Sequence, residues 1–321
     1  MPDTGNRSPY GGPSPADFAL TVQRTAAAIA ALTNGTAAPD AQAAGEATAR
    51  LWRPLVGEAM AAPGAAAPQW LLPAHIDTDV GVLQIEGGDT IIRPELAETR
   101  RWEADEDAAI RKTVTAGTTV LDIGAHIGYF SLLMSQLVQS HGRVIAIEAD
   151  AWNHQMLVQN LVRNGASNVT PVFAAAGDRP GIAYLRRDKD GNTGDHRVLD
   201  EPSELGHPVP VIALDDILDD VPEINFIKVD LQGGDHLAIQ GMRRTLRRCR
   251  PSLLVEFWPP GIRERGADPV EVLRIYSELG FTRDIVDDLD IDPALPDEEF
   301  VRAAQGTERE FVNLFLTPGP H

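Results

Sequence analysis

Asp122, Gly124, Gly128, Glu148, Asp230 and Glu256 are the residues whose types and spacing can do chemistry together. The glycines lie in Thr119-Val120-Leu121-Asp122-Ile123-Gly124-Ala125-His126-Ile127-Gly128-Tyr129-Phe130-Ser131, which reads as a buried strand, a turn and the start of a helix. Glycine lets the backbone adopt positive φ and approach a ligand closely. A helix leaving such a turn offers free amide donors and the positive end of its dipole. A nucleotide-like ligand belongs there. Glu148 ends the apolar run Gly142–Ile147. It follows the glycines by about 20 residues, where a βαβ nucleotide fold places a ribose-binding carboxylate. A carboxylate can accept from both ribose hydroxyls. Asp230 and Glu256 close two later apolar runs, and strand carboxyl ends gather around the ligand crevice of an open α/β sheet.

The dinucleotide fingerprint requires Gly-x-Gly-x-x-Gly. This chain has Gly124-x-x-x-Gly128 preceded by Asp122. That pattern resembles motif I of class I S-adenosylmethionine (SAM) methyltransferases, whose cofactor has no pyrophosphate but carries a ribose and an amino-acid end.

The elements that must position these residues follow in order. Residues 1–16 are rich in Pro, Gly and Ser and are expected to be disordered. Helices are expected over 17–33 and from Asp40 to Ala62, with an Ala/Pro linker to Pro73. A lid, a dimer arm in a homodimer, or an accessory subdomain are the roles open to this front third. A hairpin is expected with Val80–Ile85 and Thr90–Ile92 flanking Gly87-Gly88-Asp89. A helix then runs from Glu103 to Gly117, another from Trp152 to Asn164, and a third strand from Asn168 to Ala176. Ile182–Leu185 reads as an edge strand. The polar loop 186–205 offers Asn192, Thr193 and His196 to a substrate or to solvent. Strands ending at Asp230 and Phe257 are separated by a helix carrying Leu237, Ile239, Met242 and Leu246. Two last strands, Phe281–Val286 and Phe311–Leu316, enclose an acidic insert. Strands alternating with helices demand a mainly parallel sheet.

The chain has 321 residues, 43% of them hydrophobic, and a net charge of -19. That charge opposes a nucleic-acid substrate and an anionic membrane surface. The single cysteine, Cys249, excludes an intrachain disulfide and a cysteine metal cage. With no signal peptide or long apolar span, a soluble cytoplasmic protein is expected.

Together the motifs resemble the FkbM-type family of SAM-dependent methyltransferases. The matching pieces are Val120–Ser131, Glu148, Asn160-Leu161 with Asn164, Ala175-Ala176-Gly177-Asp178, Leu214-Asp215-Asp216, Ile227-Lys228-Val229-Asp230, Gly233 with Leu237 and Gly241, and Val255-Glu256-Phe257. The resemblance implies an α/β, Rossmann-like class I methyltransferase fold over residues 74–321. Its seven-stranded sheet would be mainly parallel with an antiparallel last strand, and residues 1–73 would form a partly helical extension. It also implies O-methylation of a small-molecule hydroxyl, on a secondary metabolite such as a polyketide macrolide or a sugar, releasing S-adenosylhomocysteine (SAH). With that family in view, the cofactor is expected to meet Glu103, Asp122, Gly124, Ala125, His126, Gly128, Tyr129, Phe130, Ser131, Glu148, Ala149 and Ala176. Asp178 either joins them beside the adenine or merely forms a turn. The family has Asn at His126, Pro at Ala149, and Glu at both Gln232 and Asp235.

Methyl transfer to a hydroxyl is an in-line displacement that must also remove a proton. Asp230 is expected to hold or deprotonate that hydroxyl, assisted by His236 or Glu256. The alternatives are that Asp230 caps the next helix and that His236 simply packs in it. Asp230, Asp235 and Glu256 are oxygen donors of the kind Mg²⁺ accepts, but the expected mechanism does not need a metal. Two other readings stay open: a non-catalytic SAM-binding protein, to which Gln232 lends weight, and a nicotinamide-dependent oxidoreductase, which lacks its glycine fingerprint.

Overall fold

A computed structural model describes residues 73–186, 197–199 and 206–319. The helices expected before residue 63 and the loop residues Asn192, Thr193 and His196 lie outside them. The chain divides into two units, Met1–Pro68 with Asp216–Val221, and Gln69–Asp215 with Pro222–His321. In the first, the described residues 216–221 continue the short helix α5 (Asp215–Leu218), and Val221 N donates to the Leu218 carbonyl. The candidate site lies wholly in the second.

That unit opens with an antiparallel hairpin, β1 (Pro73–Thr78) and β2 (Gly81–Glu86). The hairpin therefore turns at Asp79-Val80, not at Gly87-Gly88. Asp89 explains the difference: its Oδ1 accepts from Ile91 N at 3.1 Å and Arg93 N at 2.8 Å. This side-chain capping draws the following residues into helix α1 (Ile92–Thr99) instead of a return strand. Helix α2 (Ala104–Thr113) follows.

The main sheet starts with β3 (Thr119–Ile123), α3 (Tyr129–Val138), β4 (Arg143–Glu148), α4 (Ala151–Arg163) and β5 (Val169–Phe173). It resumes with β10 (Phe226–Val229), α6 (Asp235–Gly241), α7 (Arg243–Cys249), β11 (Ser252–Phe257), α8 (Pro259–Glu264) and α9 (Pro269–Glu278). It closes with β12 (Phe281–Ile285), α10 (Asp297–Gln305) and β13 (Val312–Pro318). The strand order is β12-β13-β11-β10-β3-β4-β5. β13 runs antiparallel to both its neighbours, β11 and β12, and every other pairing in the sheet is parallel. Strands covered on both faces are near-continuous apolar runs, and all four residues of β10 are buried, Lys228 being the one that is not apolar.

Between β5 and α5 the chain builds a second sheet, in the order β6-β9-β7-β8, from β6 (Ala175–Gly177), β7 (Gly181–Arg186), β8 (Arg197–Leu199) and β9 (Gly206–Ala213). The expected third strand is thus two strands in two sheets, broken at Ala174. The expected edge strand Ile182–Leu185 lies inside its sheet, flanked by β8 and β9.

In the main sheet the chain leaves β3 for β4 and β5 on one side and later returns to fill β10 and β11 on the other. The crevice beyond the carboxyl ends of β3 and β10 is therefore the topological switch point, where open α/β sheets bind ligands.

Candidate active site

A cavity of about 910 Å³ opens at that switch point, within the size range of small-molecule sites. Its first wall is the turn after β3. Gly124 and Gly128 have φ of +86° and +96°. A Cβ on Gly124 would lie 1.9 Å from the Asp230 carbonyl oxygen, so only glycine lets the two strand ends meet. Gly124 N and Ala125 N both donate to the Ile147 carbonyl at 2.9 Å. His126 also sits at positive φ, +49°. His is among the non-glycine residues enriched in that region.

Glu148 fixes this turn. Its Oε2 accepts from His126 N at 2.8 Å and its Oε1 from Asp150 N at 2.7 Å. Asp150 then caps α4 by accepting from Trp152 N and Asn153 N. Burial, helped by the Asp150 charge and opposed by the two amide bonds, raises the Glu148 pKa to about 8. Ala174, Ala175 and Ala176 continue the wall beside Ile147 and Ala149, and their small side chains leave room for a flat ring.

The opposite wall is acidic. Lys228 stands in the central strand β10, 3% exposed. Its Nζ lies 3.0 Å from Asp230 Oδ2, 3.3 Å from Glu106 Oε2 and 4.6 Å from the centre of the Phe130 ring. Asp230 Oδ1 accepts from Gln232 Nε2 at 3.2 Å. Burial, and then the Glu106 charge, hold Glu103 well above the ordinary carboxyl range. Burial followed by the charges of Asp230 and Asp235 does the same to Glu256. Glu256 Oε1 is buried without a hydrogen-bond partner. Four non-glycine residues with positive φ line this cavity, namely Glu103, His126, Gln232 and Glu310. Such conformations persist where the surrounding structure over-determines them, often at functional sites.

The cavity brings together Glu103, Gly124, Ala125, His126, Tyr129, Phe130, Glu148, Ala149, Ala176, Asp230 and Glu256. Asp122, Gly128, Ser131, Asp178 and His236 do not line it. Asp122 is 1% exposed and accepts from Ser131 Oγ at 2.5 Å, so the pair joins β3 to α3 behind the turn. Asp178 pairs with Arg179 at 2.9 Å. His236 is buried in α6, and burial lowers its pKa. Asp235 is 2% exposed and accepts from Leu231 N at 3.2 Å, which closes the turn after Asp230. Glu106 and Lys228 are the partners that sequence reasoning did not assign. Lys228 carries a visible signal, a lone charge inside an apolar central strand.

The FkbM methyltransferase domain model matches residues 122–283, just over half of the chain. The chain belongs to the FkbM methyltransferase family. Solved structures similar to this family member include a methyltransferase FkbM from Methylobacillus flagellatus KT, 19% identical over 65% of this chain and 50% of that one, with a TM-score of 0.40. This chain thus spans half the length of the Methylobacillus protein. A SAM-dependent methyltransferase from Aquifex aeolicus is 15% identical over 71% and 93% of the two chains, with a TM-score of 0.39. A Streptococcus mutans protein described as a methyltransferase, in complex with SAH, is 12% identical over 68% and 97%, with a TM-score of 0.39. No curated protein matches this chain.

The cofactor of this FkbM methyltransferase is SAM, and the residues present fit it. The wall of alanines suits the adenine. The two Glu148 oxygens each keep a lone pair for a ribose hydroxyl. The acidic wall suits the positive charge of a sulfonium. Among the described residues no group of His, Cys, Asp and Glu is arranged to hold a metal ion.

Proposed function

We propose that this FkbM methyltransferase methylates a hydroxyl of a small molecule. One observation carries the reading: Asp230 and Glu256, at the ends of the adjacent parallel strands β10 and β11, face the same cavity as the Gly124 turn. A hydroxyl acceptor needs one group to orient it and one to take its proton. The Asp230 carboxylate, held by Lys228 and Gln232, is fixed in place and suits orientation. Glu256 has a raised pKa and a buried unpartnered oxygen, so it suits proton removal at Oε1. When bound, SAM supplies an electrophilic methyl on sulfur, and its positive charge favours the ionised form of nearby carboxyls. His236 has no direct part in this scheme.

The acceptor is a small molecule, a secondary metabolite in keeping with the family resemblance, and not a nucleic acid. A chain of net charge -19 with an acidic cavity wall repels a phosphate backbone. The test is incubation with SAM carrying a deuterated methyl group and a panel of macrolide aglycones, sugars and phenols, read by mass spectrometry. Label on a hydroxyl oxygen, lost in Glu256→Gln, supports the reading. Label on nitrogen or carbon, or unchanged transfer by Glu256→Gln, contradicts it.

A further inference from the structure

The acidic wall poses an electrostatic problem of its own. Glu103 just before α2, Glu106 on α2 and Asp230 at the end of β10 converge on one cavity, with Asp122 on β3 behind them. Like charges this close, taken out of water, repel strongly unless a cation is placed among them. Lys228 is that cation. Its register partner on β3 is Asp122. Its ammonium bonds Asp230, pairs with Glu106 and rests over Phe130. One side chain therefore joins α2, α3 and the end of β10, three elements that line the cavity.

We propose that Lys228 is a positioning residue for methyl transfer: it aims the Asp230 carboxylate at the acceptor and supplies the counter-charge around which the acidic wall assembles. The proposal rests on the reading that this wall receives the acceptor. Burial alone would lower the Lys228 pKa, but Asp230, Glu106 and Glu103 outweigh it and hold the ammonium well above its ordinary value. In return Lys228 lowers the proton affinity of Glu103, Glu106 and Asp122.

The experiment is a carboxyl-carbon NMR titration of the full chain labelled at Glu and Asp, with and without SAH. No acceptor is needed, so it stays readable if the hydroxyl reading fails. In Lys228→Met the midpoints of Glu103 and Glu106 should rise by at least one pH unit, a tenfold gain in proton affinity. Lys228→Arg should restore them, and Glu106→Gln should move Glu103 the opposite way. Midpoints unchanged in Lys228→Met, with only a lower melting temperature, would make Lys228 a structural residue and overturn the proposal. If Lys228→Met does not fold, nitrogen NMR of the wild-type lysine side chains decides. A Lys228 ammonium that stays protonated at about pH 11.5, where an ordinary lysine has lost its proton, supports the proposal, and a neutral amine there overturns it.

Discussion

Glu148 lines the cavity and fastens the glycine turn by accepting from His126 N. Because the ionised form is the double acceptor, SAH affinity should fall as pH drops below about 8. Glu148→Gln should flatten that dependence in calorimetric titrations. Asp235 is another buried acid with a displaced midpoint, raised to about 7 by burial and by Asp230. Both groups bind protons more tightly folded than unfolded. Between about pH 4 and their folded midpoints the native state therefore holds protons that the unfolded chain has lost, and stability falls as pH rises through that window. Asp235→Asn keeps an acceptor for Leu231 N and removes the charge. Its denaturant midpoint should change less than the wild type's between pH 5 and pH 8, with an equal decline ruling the assignment out. For Glu256, replacement by Gln should lower methyl transfer by about 10²–10⁴-fold, the usual worth of a general base. SAH affinity should hold, and the wild-type rate should climb as pH rises through the elevated Glu256 midpoint.

Two asparagines, Asn160 on α4 and Asn164 at its C-terminal cap, imitate a strand edge. Asn164 exchanges hydrogen bonds with both backbone groups of Val82, at 2.9 Å each. Asn160 does the same with Gln84 and also donates to the Ile127 carbonyl in the glycine turn at 2.8 Å. The β1–β2 hairpin is thereby pinned to α4 and, through Asn160, to the glycine turn. Asn160→Ala should cost about 1–3 kcal/mol, since it strands buried backbone groups. The Gln84 amide should lose hydrogen-exchange protection, and unchanged protection there would count against the clamp. The turn is less forgiving at one glycine than at the other. Gly124→Ala drives a Cβ into backbone at Asp230, whereas Gly128→Ala meets the end of the Leu157 side chain at 2.6 Å. Both strain φ, but Gly124→Ala should abolish SAH binding and Gly128→Ala should only weaken it.

The elements differ in how far they could be read from sequence. β3, the glycine turn, β4 and β11 are legible because long apolar runs are punctuated by glycines and end in acids. The hairpin is shifted because Asp89 competes with the Gly87-Gly88 signal through side-chain bonds that no pattern of hydropathy records. β6 escapes because three residues carry no periodicity, and the break at Ala174 is a tertiary event. Helix α10, hidden in the acidic insert, buries Phe300, Val301 and Ala304, an apolar face at helical spacing that its charges obscure. The inward-facing role of Glu106 depends on the reach of Lys228 across from another element, which one-dimensional spacing cannot show.

Across the whole molecule, the sheet sets the chemistry. Its order puts β3 beside β10 and so brings the cofactor turn and the acidic wall to one crevice. Net charge, small-residue wall and strand-end carboxylates are the features on which the proposed small uncharged or cationic acceptor rests. Among the described residues no helix is long and apolar enough to cross a membrane. The most direct measurement is a calorimetric titration of SAH into the full chain and into Glu148→Ala. Binding of one SAH per chain, weakened at least tenfold by the substitution, is the result expected of a ribose carboxylate at the end of β4. Binding that ignores the substitution, or no binding to either protein, would contradict the placement of the cofactor in this cavity.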